Sequence, residues 1–427
     1  MRQNNGSYRW RIVALLFFAT TINYIDRQVI GILKPVIAED LGWTEADYGY
    51  IVSAFQVAYA IGMVATGWFL DKVGTKVGYS IAIVVWSIAG IGHAFARSVF
   101  SFGLARFVLG IGESANFPAC IKAVSEWFPK KDRALATGWF NSGASIGAIV
   151  GPMAVAGIAT LLSWRWAFII TGALGFVWLV LWRLQYEAPQ RHKKLLAEEL
   201  RYIMSDNGSD ETCSNGMRWG SLFRFKQTYA IIGARLVTDW VWWFFLFWTP
   251  DYLHKMFNLN LSESIIPLII IYTVSSVGGI GGGLMASKFI AMGKSIGFAR
   301  KKTILICALM VLPLSLISRV DSIWIAVMII AFAAAAHQGW AANMYTTISD
   351  IYPKNAVGSM VGLSGVLGSV MSAFAAALVG WILQLTHSYE FIFMVASCTY
   401  MVAWLIFEIF LKKIEPLHQP LHQPLQN

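Results

Sequence analysis

The feature that constrains the fold most is a series of about twelve apolar runs, each long enough to cross a lipid bilayer. A transmembrane helix needs about 20 consecutive, mostly apolar residues. The composition agrees, because 57% of the 427 residues are hydrophobic and 13% are charged, whereas an average soluble domain is about 25% charged. The approximate runs are 10–33, 45–70, 77–96, 98–124, 134–161, 165–185, 228–253, 263–290, 302–319, 321–347, 357–385 and 389–411. The sequence therefore predicts an all-α membrane protein with about twelve transmembrane helices.

A polar, charged stretch divides these runs into two sets of six. We predict an N-terminal six-helix bundle at 1–186, a cytoplasmic linker at 187–226, a C-terminal six-helix bundle at 227–411 and a cytoplasmic tail at 412–427. An even number of crossings agrees with both termini lying on one side of the membrane.

The distribution of lysine and arginine gives the orientation. Most of them lie in the termini, the linker and the loops on the linker side, whereas the opposite loops hold Lys34, Arg97, Arg165, Lys255 and Arg319. Cytoplasmic loops are enriched in Lys and Arg, so we expect the linker and both termini in the cytoplasm. The net charge of +10 then reflects membrane topology rather than nucleic-acid binding.

The two halves repeat weakly. Gly67–Lys72 is echoed by Gly283–Lys288, and Glu126–Pro129 is echoed by Asp350–Pro353. A chain built from parallel repeats has its substrate site near the bilayer midplane between them and works by rocking of one half against the other. Chance similarity between helices rich in glycine and alanine is the alternative.

The patterns of an enzyme are absent from the sequence. It has no metal-ligand spacing, no nucleotide-binding glycine loop after a strand and no supported serine or cysteine triad, and its four cysteines are far apart. The glycine-rich stretch Gly278–Gly283 lies in an apolar run, where close helix packing is its expected use. A sensor would need a soluble signalling domain, for which the linker is too short. We therefore predict a protein that is not an enzyme and uses neither a metal nor a cofactor.

Charged residues inside the apolar runs are the candidates for function. Asp26 and Arg27 lie side by side in the first run, where a charge at mid-membrane costs about 2.5–3.5 kcal/mol on insertion scales. They need partners, and the other apolar runs contain five candidates: Arg106, Glu113, Arg235, Asp239 and His337.

Helical spacing suggests how these charges pair. Consecutive residues point about 100° apart on a helix, so Asp26 and Arg27 face different neighbours. Arg106 and Glu113 are seven residues apart, close to two full turns, and share one face. We expect Asp26 to pair with Arg106 and Glu113 to lie near Arg27. Fixed ion pairs that hold the first half together are the alternative to a functional role.

Three motifs carry a family resemblance. The loop Gly67-x3-Asp71-Lys72-Val73-Gly74-Thr75-Lys76 resembles the signature loop between the second and third helices of the major facilitator superfamily. Tyr24-Ile-Asp-Arg27, together with Arg106-x6-Glu113, resembles the anion:cation symporter branch, which takes up organic anions. The stretch Ala336–Asn343, with Ala234-Arg235, is similar to the bacterial hexuronate transporters of that branch.

The chain also departs from this pattern at two places. Ser287 stands in the second-half loop where the first half has Asp71, and Asn141–Ser145 replaces a stretch that carries a glutamine in related sugar-acid carriers. These departures bear on which sugar acid is carried.

Arg27 is the candidate for gripping a substrate carboxylate, because a guanidinium offers a planar fork that suits carboxylate and always stays charged. Asp26 and Glu113, with Arg106, are the candidates for proton coupling. Burial raises the pKa of a carboxyl and a nearby arginine lowers it again, so such an acid can bind and release a proton. The resemblance implies the same two acids.

Further side chains could read the sugar hydroxyls: Tyr24, Gln56, Tyr59, Gln338, Trp340 and Asn343. Arg235 either holds the second end of the substrate or pairs locally with Asp239, four residues away. His337 is either a hydrogen-bonded core residue or a proton or substrate ligand.

Asp71, Glu126 and Arg133 lie at cytoplasmic helix ends. We expect them to form an ion network that locks the two halves together on that side when the cavity opens outward. Ordinary interfacial charge is the alternative.

These observations together predict a secondary transporter that imports a hexuronate, such as glucuronate or galacturonate, with protons. Another organic anion, such as the aldonate galactonate, or coupling to sodium is the alternative. The expected partners are the organic anion, protons and the lipid bilayer, without nucleic acid, and we expect a monomer in the bacterial inner membrane.

Overall fold

The computed structural model describes residues 8–205, 219–411 and 413–417, and within these residues it is helical with no strands. The helices are α1 (Tyr8–Leu41), α2 (Glu45–Val73), α3 (Thr75–Gly92), α4 (Val99–Glu113), α5 (Asn116–Trp127), α6 (Lys130–Leu161), α7 (Trp164–Gln185), α8 (Ala197–Ile203), α9 (Trp219–Leu222), α10 (Lys226–Phe257), α11 (Ile265–Ala291), α12 (Ile296–Val311), α13 (Ile323–Ile351), α14 (Lys354–Thr386) and α15 (Glu390–Phe410). A 3-10 helix, Leu312–Arg319, continues α12.

Ten helices in the described ranges are long and apolar enough to cross a membrane. Two further segments complete the expected set of about twelve. One is α1, which carries Asp26 and Arg27 in its middle. The other is α4 followed by α5, because α4 has 15 residues and is too short to span alone.

The fourth predicted run is broken rather than continuous. Ser114 and Ala115 separate α4 from α5, and the Ser114 hydroxyl donates to the carbonyl of Ile111 at 2.7 Å. Such local side-chain bonds compete with the regular helical ladder. The break directly follows Glu113, so it helps to place that carboxylate.

The weak sequence repeat has a structural counterpart at two prolines. Pro129 precedes α6 with φ −62° and ψ 154°, and Pro353 precedes α14 with φ −62° and ψ 153°. A residue with this extended conformation starts a helix cleanly because its successor begins the helical turn. The two echoed segments therefore each precede the start of a helix, α6 in the first half and α14 in the second.

The two sets of helices meet along three contacts. α2 packs against α14, α6 packs against α11, and α1 packs against α10. A two-fold rotation that exchanges the two sets maps the contact of α2 with α14 onto the contact of α11 with α6. The same rotation maps the contact of α1 with α10 onto itself. This is the arrangement of two pseudo-symmetric six-helix bundles. The residues at which we divide the chain stay a prediction.

The linker begins with a docked segment. Glu199 of α8 accepts hydrogen bonds from the backbone N–H groups of Tyr8 at 3.3 Å and Arg9 at 3.1 Å. These N–H groups belong to the first turn of α1, where no intrahelical partner exists. The linker thus caps the first helix. Cys213, which is also in the linker, lies outside the described residues.

Close helix packing explains the glycine-rich stretch of α11, as the sequence predicts. A Cβ on Gly282 would lie 2.4 Å from the Cα of Gly339 on α13, and a Cβ on Gly278 would lie 2.3 Å from the carbonyl oxygen of Ala335. Around Gly281, by contrast, nothing lies within 4 Å of such an atom. One face of α11 therefore touches the backbone of α13 directly.

We expect Gly282→Val to destabilise the protein, because overpacking a close contact costs about 1–3 kcal/mol. The measurement is the Tm of the detergent-solubilised protein, and Gly281→Val on the same helix is the matched control. Equal Tm values for the two variants would contradict the proposed packing.

Candidate functional site

The centre of the site is a buried ion pair between α1 and α4. Arg27, of which 5% is exposed, donates from Nε to Glu113 Oε2 at 2.9 Å. Its Nη2 donates to Asn23 Oδ1 at 3.1 Å. Glu113 is fully buried at the end of α4. The expected closeness of Glu113 and Arg27 is confirmed.

Aromatic rings surround the guanidinium of Arg27. Its Cζ lies 4.8 Å from the ring centroid of Tyr24, 5.6 Å from Phe55, 5.1 Å from Tyr59 and 5.4 Å from Trp243. A cation within about 6 Å of an aromatic face is attracted by it. Three of the rings belong to the first half and Trp243 belongs to α10, so the guanidinium lies where the two halves meet.

The expected ion pair between Asp26 and Arg106 is not formed. Arg106, fully buried, donates from Nη2 to the backbone carbonyl of Arg27 at 3.2 Å and lies over Phe55. Asp26 lies near Thr171 of α7, and both of its carboxylate oxygens are buried without a hydrogen-bond partner among the described residues. The physical reason is the angle of about 100° between successive residues, which turns Arg27 towards α4 and Asp26 towards α7.

A second arginine occupies the corresponding region of the second half. Arg235 Nη2 lies 2.8 Å from Asp239 Oδ2. The same guanidinium donates from Nη1 to the Ser364 hydroxyl at 2.9 Å and from Nη2 to the Tyr345 hydroxyl at 3.3 Å. The local pair that the spacing allowed is present, and the Tyr345 contact extends it.

Arg235 lies close to the first half. A Cβ on Gly365 of α14 would lie 3.9 Å from Arg235 Nη1 and 3.1 Å from Cε of Met63 on α2. Two arginines, one from each half, therefore lie near the boundary between the halves, each with a carboxylate from its own half.

Gln56 lies at the same boundary. It lines a small cavity of about 10 Å³ together with Trp240, Trp243 and Ser372 from the second half. The side-chain nitrogen and oxygen of Gln56 are buried without a hydrogen-bond partner. A polar group of a ligand or a water molecule would satisfy them.

Three of the predicted hydroxyl readers lie on α13 and make packing contacts within the second half. Asn343 donates to the backbone carbonyls of Gly282 at 3.1 Å and Gly339 at 2.9 Å, which ties α13 to α11. Trp340, of which 1% is exposed, packs edge-on against Tyr400 at 5.4 Å. Gln338 lies against α11, where a Cβ on Gly279 would be 3.7 Å from its Cβ.

Gln338 and Asn343 therefore contact α11, and Trp340 contacts α15, all within the second half. Asn343 donates a hydrogen bond to a backbone carbonyl of α11. A substrate that took this donor would have to replace that hydrogen bond. The side chain of α13 that reaches the arginine is Tyr345, which the sequence analysis missed. Trp243 was missed as well, since an aromatic residue in an apolar run carries no distinguishing signal.

His337 is a hydrogen-bonded core residue. Its Nδ1 lies 2.5 Å from the hydroxyl of Tyr400, and its ring stacks on Trp242 with 5.4 Å between centroids. These contacts favour the structural one of the two interpretations.

The predicted cytoplasmic network does not join the two halves here. Asp71 pairs with Lys122 at 2.5 Å, and Glu126 accepts a hydrogen bond from Thr75 at 2.5 Å. Arg133 donates to two backbone carbonyls just before α6, at 2.9 and 3.0 Å. All these partners belong to the first half, because the ends of α2, α3 and α5 meet there and pair with one another.

Comparison with known proteins gives the following relatives. The chain is similar to the hexuronate transporter of Escherichia coli K12, with 32% identity over 383 residues that cover 89% of this chain and 88% of the relative. It is similar to the galacturonate transporter of Dickeya chrysanthemi, with 33% identity over 329 residues, 76% of this chain and 95% of the relative. The D-galactonate transporter of Escherichia coli O6:H1 is 30% identical over 390 residues, 89% of this chain and 90% of the relative.

Solved structures share the fold. A D-xylose-proton symporter matches with a TM-score of 0.75 and 17% identity, covering 96% of this chain and 100% of the other. A bacterial homologue of the human lysosomal transporter Spinster matches with a TM-score of 0.71 and 18% identity, covering 95% and 96%.

The sequence profile of the Major Facilitator Superfamily matches residues 16–299, which include Arg27, Glu113 and Arg235. With the two bundles and the relatives above, this match identifies the chain as a multi-pass membrane transporter that belongs to the Major Facilitator Superfamily.

Proposed function

We propose that this protein imports a sugar-acid anion, a hexuronate such as glucuronate or galacturonate, together with protons by alternating access. The observation that carries the proposal is the Arg27 guanidinium at the boundary of the two halves. Its hydrogen bonds to described residues use Nε and Nη2, which leaves Nη1 for a carboxylate. A guanidinium binds carboxylates through two parallel hydrogen bonds.

Glu113 supplies the coupling in this proposal. It lies 2.9 Å from Arg27, so an arriving substrate carboxylate competes with it for one guanidinium. Two carboxylates close to each other in a buried site repel each other. A proton on Glu113 removes that conflict, so substrate and proton bind together. Asp26, buried near Arg106, is the second proposed proton site.

The other end of the substrate would lie against both halves. Tyr24, Tyr59 and Gln56 come from the first half, and Arg235 with Tyr345 comes from the second. We propose that these side chains read the hydroxyl groups. Because residues of both halves would touch one ligand, its binding would favour a state in which the halves close around it.

The relatives support a sugar acid as the substrate class. Two of them are named as transporters of hexuronate and galacturonate. The D-galactonate transporter is the observation that favours the alternative, an aldonate. Coupling to sodium instead of protons is the other alternative.

The orientation belongs to the proposal as well. We propose that the chain is a monomer of the bacterial inner membrane with both termini and the linker in the cytoplasm, following the lysine and arginine distribution. Asp71, Glu126 and Arg133 would then engage the second half in the state in which the cytoplasmic side closes.

The first test is uptake of labelled glucuronate by proteoliposomes with and without an inside-alkaline pH gradient. We expect the gradient to drive accumulation and Arg27→Lys to raise KM about tenfold or more, because a lysine keeps the charge but loses the fork, and a hydrogen bond to a charged group contributes about 1.5–3 kcal/mol. Arg165→Lys is the matched control, since Arg165 forms a half-exposed ion pair with Asp40 at 3.3 Å. An unchanged KM in Arg27→Lys would refute the carboxylate role.

Glu113→Gln tests the coupling. The amide can still accept the hydrogen bond from Arg27 but cannot carry a proton, so we expect substrate exchange to persist while the pH gradient no longer drives accumulation. The control is Glu187→Gln, because a hydrogen bond from Lys76 holds the pKa of Glu187 below its ordinary value and keeps it ionised. Gradient-driven accumulation at the normal level in Glu113→Gln would rule out this acid as the proton site.

A competition panel separates the substrate classes. We expect unlabelled glucuronate and galacturonate to inhibit glucuronate uptake more strongly than galactonate does at equal concentration. Stronger inhibition by galactonate would move the assignment to an aldonate carrier.

A further inference from the structure

Four charged side chains, two from each half, meet at one face of the membrane domain. We call it the distal face; it is the side where α1 ends at Leu41 and α2 begins, opposite the linker. Lys34 Nζ lies 2.6 Å from Asp251 Oδ1 and 2.9 Å from Glu45 Oε2. Lys255 contacts Glu45 and lies 3.3 Å from Asp251 Oδ2. None of the functional roles discussed above uses these residues.

The core of this cluster is buried. The exposed fractions are 2% for the Lys34 side chain and 1% for the Asp251 side chain. Asp251 also accepts a hydrogen bond from the hydroxyl of Tyr389, and the amide oxygen of Gln384 accepts the backbone N–H of Glu45 at 3.1 Å. The cluster is therefore a satisfied polar network and not a set of loose surface charges.

The backbones of the two halves touch beside the cluster. A Cβ on Gly49 of α2 would lie 2.8 Å from the carbonyl oxygen of Ala376 on α14, and a Cβ on Gly380 would lie 2.6 Å from the carbonyl oxygen of Glu45. The hydroxyl of Tyr48 donates to the carbonyl of Phe247 on α10 at 2.8 Å. These contacts close the distal face.

The linker side differs in how its charges pair. There, Asp71 pairs with Lys122 inside the first half, and Arg300 pairs with Asp350 at 2.9 Å inside the second. Among the described residues, the ion pairs that cross between the halves are those of the distal cluster.

The cluster also contains one complete pair in each half. Lys34 and Glu45 both belong to the first half and lie 2.9 Å apart, and Asp251 and Lys255 are four residues apart on α10. If the halves separated at this face, each acid would keep a base from its own half. A buried charge that loses its partner costs several kcal/mol, and this arrangement avoids that penalty.

We propose that Lys34, Glu45, Asp251 and Lys255 form a four-charge latch. In the closed state these side chains pair both within each half and across the boundary, and in the open state only the pairs within each half remain. The strength of the cross-boundary pairs then sets the balance between the state closed at the distal face and the state open there. This inference rests on the transport cycle proposed above, but its test needs no substrate.

The test uses a reporter thiol beneath the latch. Ser372→Cys is introduced into a variant whose four native cysteines are replaced by alanine, because Ser372 has 1% exposure and lines the small cavity below the distal face. A membrane-impermeant thiol reagent is then applied to right-side-out and inside-out vesicles separately, and the labelling rate from the distal side is measured without substrate.

We expect Lys34→Met and Asp251→Asn to raise the distal labelling rate about fivefold or more, as conformational couplings typically do. The same-face control is Asp40→Asn, which removes an ion pair between α1 and α7 inside the first half, and it should leave the rate unchanged. Asp251→Asn is nearly isosteric and keeps a partner for Tyr389, so it gives the result even where Lys34→Met fails to fold.

The double exchange Lys34→Glu with Asp251→Lys gives the opposite expectation. It keeps the pair across the boundary, but it leaves two acids in the first half and two bases in the second once the halves separate. Distal labelling should therefore fall below the wild-type rate. If the cluster had a purely structural role, the distal labelling rate would change in the same direction in all three variants. Either that outcome or an unchanged labelling rate in the single variants would overturn the latch. If the variants label as expected but the wild-type protein does not take up hexuronate, the latch stands and the proposed substrate is wrong.

Discussion

The ion pair between Arg27 and Glu113 is the interaction on which the rest of the site depends. Removing two charges from water costs several kcal/mol for each ion, and removing only one partner of a buried pair costs about 3–5 kcal/mol. The fold meets this cost with the carboxylate at 2.9 Å, the amide of Asn23 and a cage of four rings. In our proposal a ligand carboxylate shares the Arg27 guanidinium with Glu113, which is why binding and protonation are linked.

The same constraint acts at two other places in the membrane domain. Arg235 has Asp239 in its own half, just as Arg27 has Glu113. At the distal face each half again contains an acid and a base. These charges keep a partner from their own half when the halves move against each other, so local pairing serves a moving carrier as well as its stability.

Helical periodicity predicted some of these contacts and missed others. It placed Tyr24 on the face of Arg27 and brought Glu113 to Arg27, because spacing within one helix fixes which residues share a face. It did not give the ion-pair partner of Asp26, and it did not single out Tyr345 on α13. Which neighbour a helix face meets depends on how the helices pack, and that packing was not known.

One sequence was enough to predict the membrane class, the two sets of six crossings, the family and the charged residues within the bilayer, since apolar run length, short motifs and charge positions are all local features. What those charges meet depends on how the helices pack. Lys34 and Lys255 were counted in the sequence only as opposite-side loop charges. The pairing of Lys34 with Asp251 and of Lys255 with Glu45 depends on how α1, α2 and α10 converge, and such contacts between residues more than 200 positions apart leave no periodic signal in one sequence.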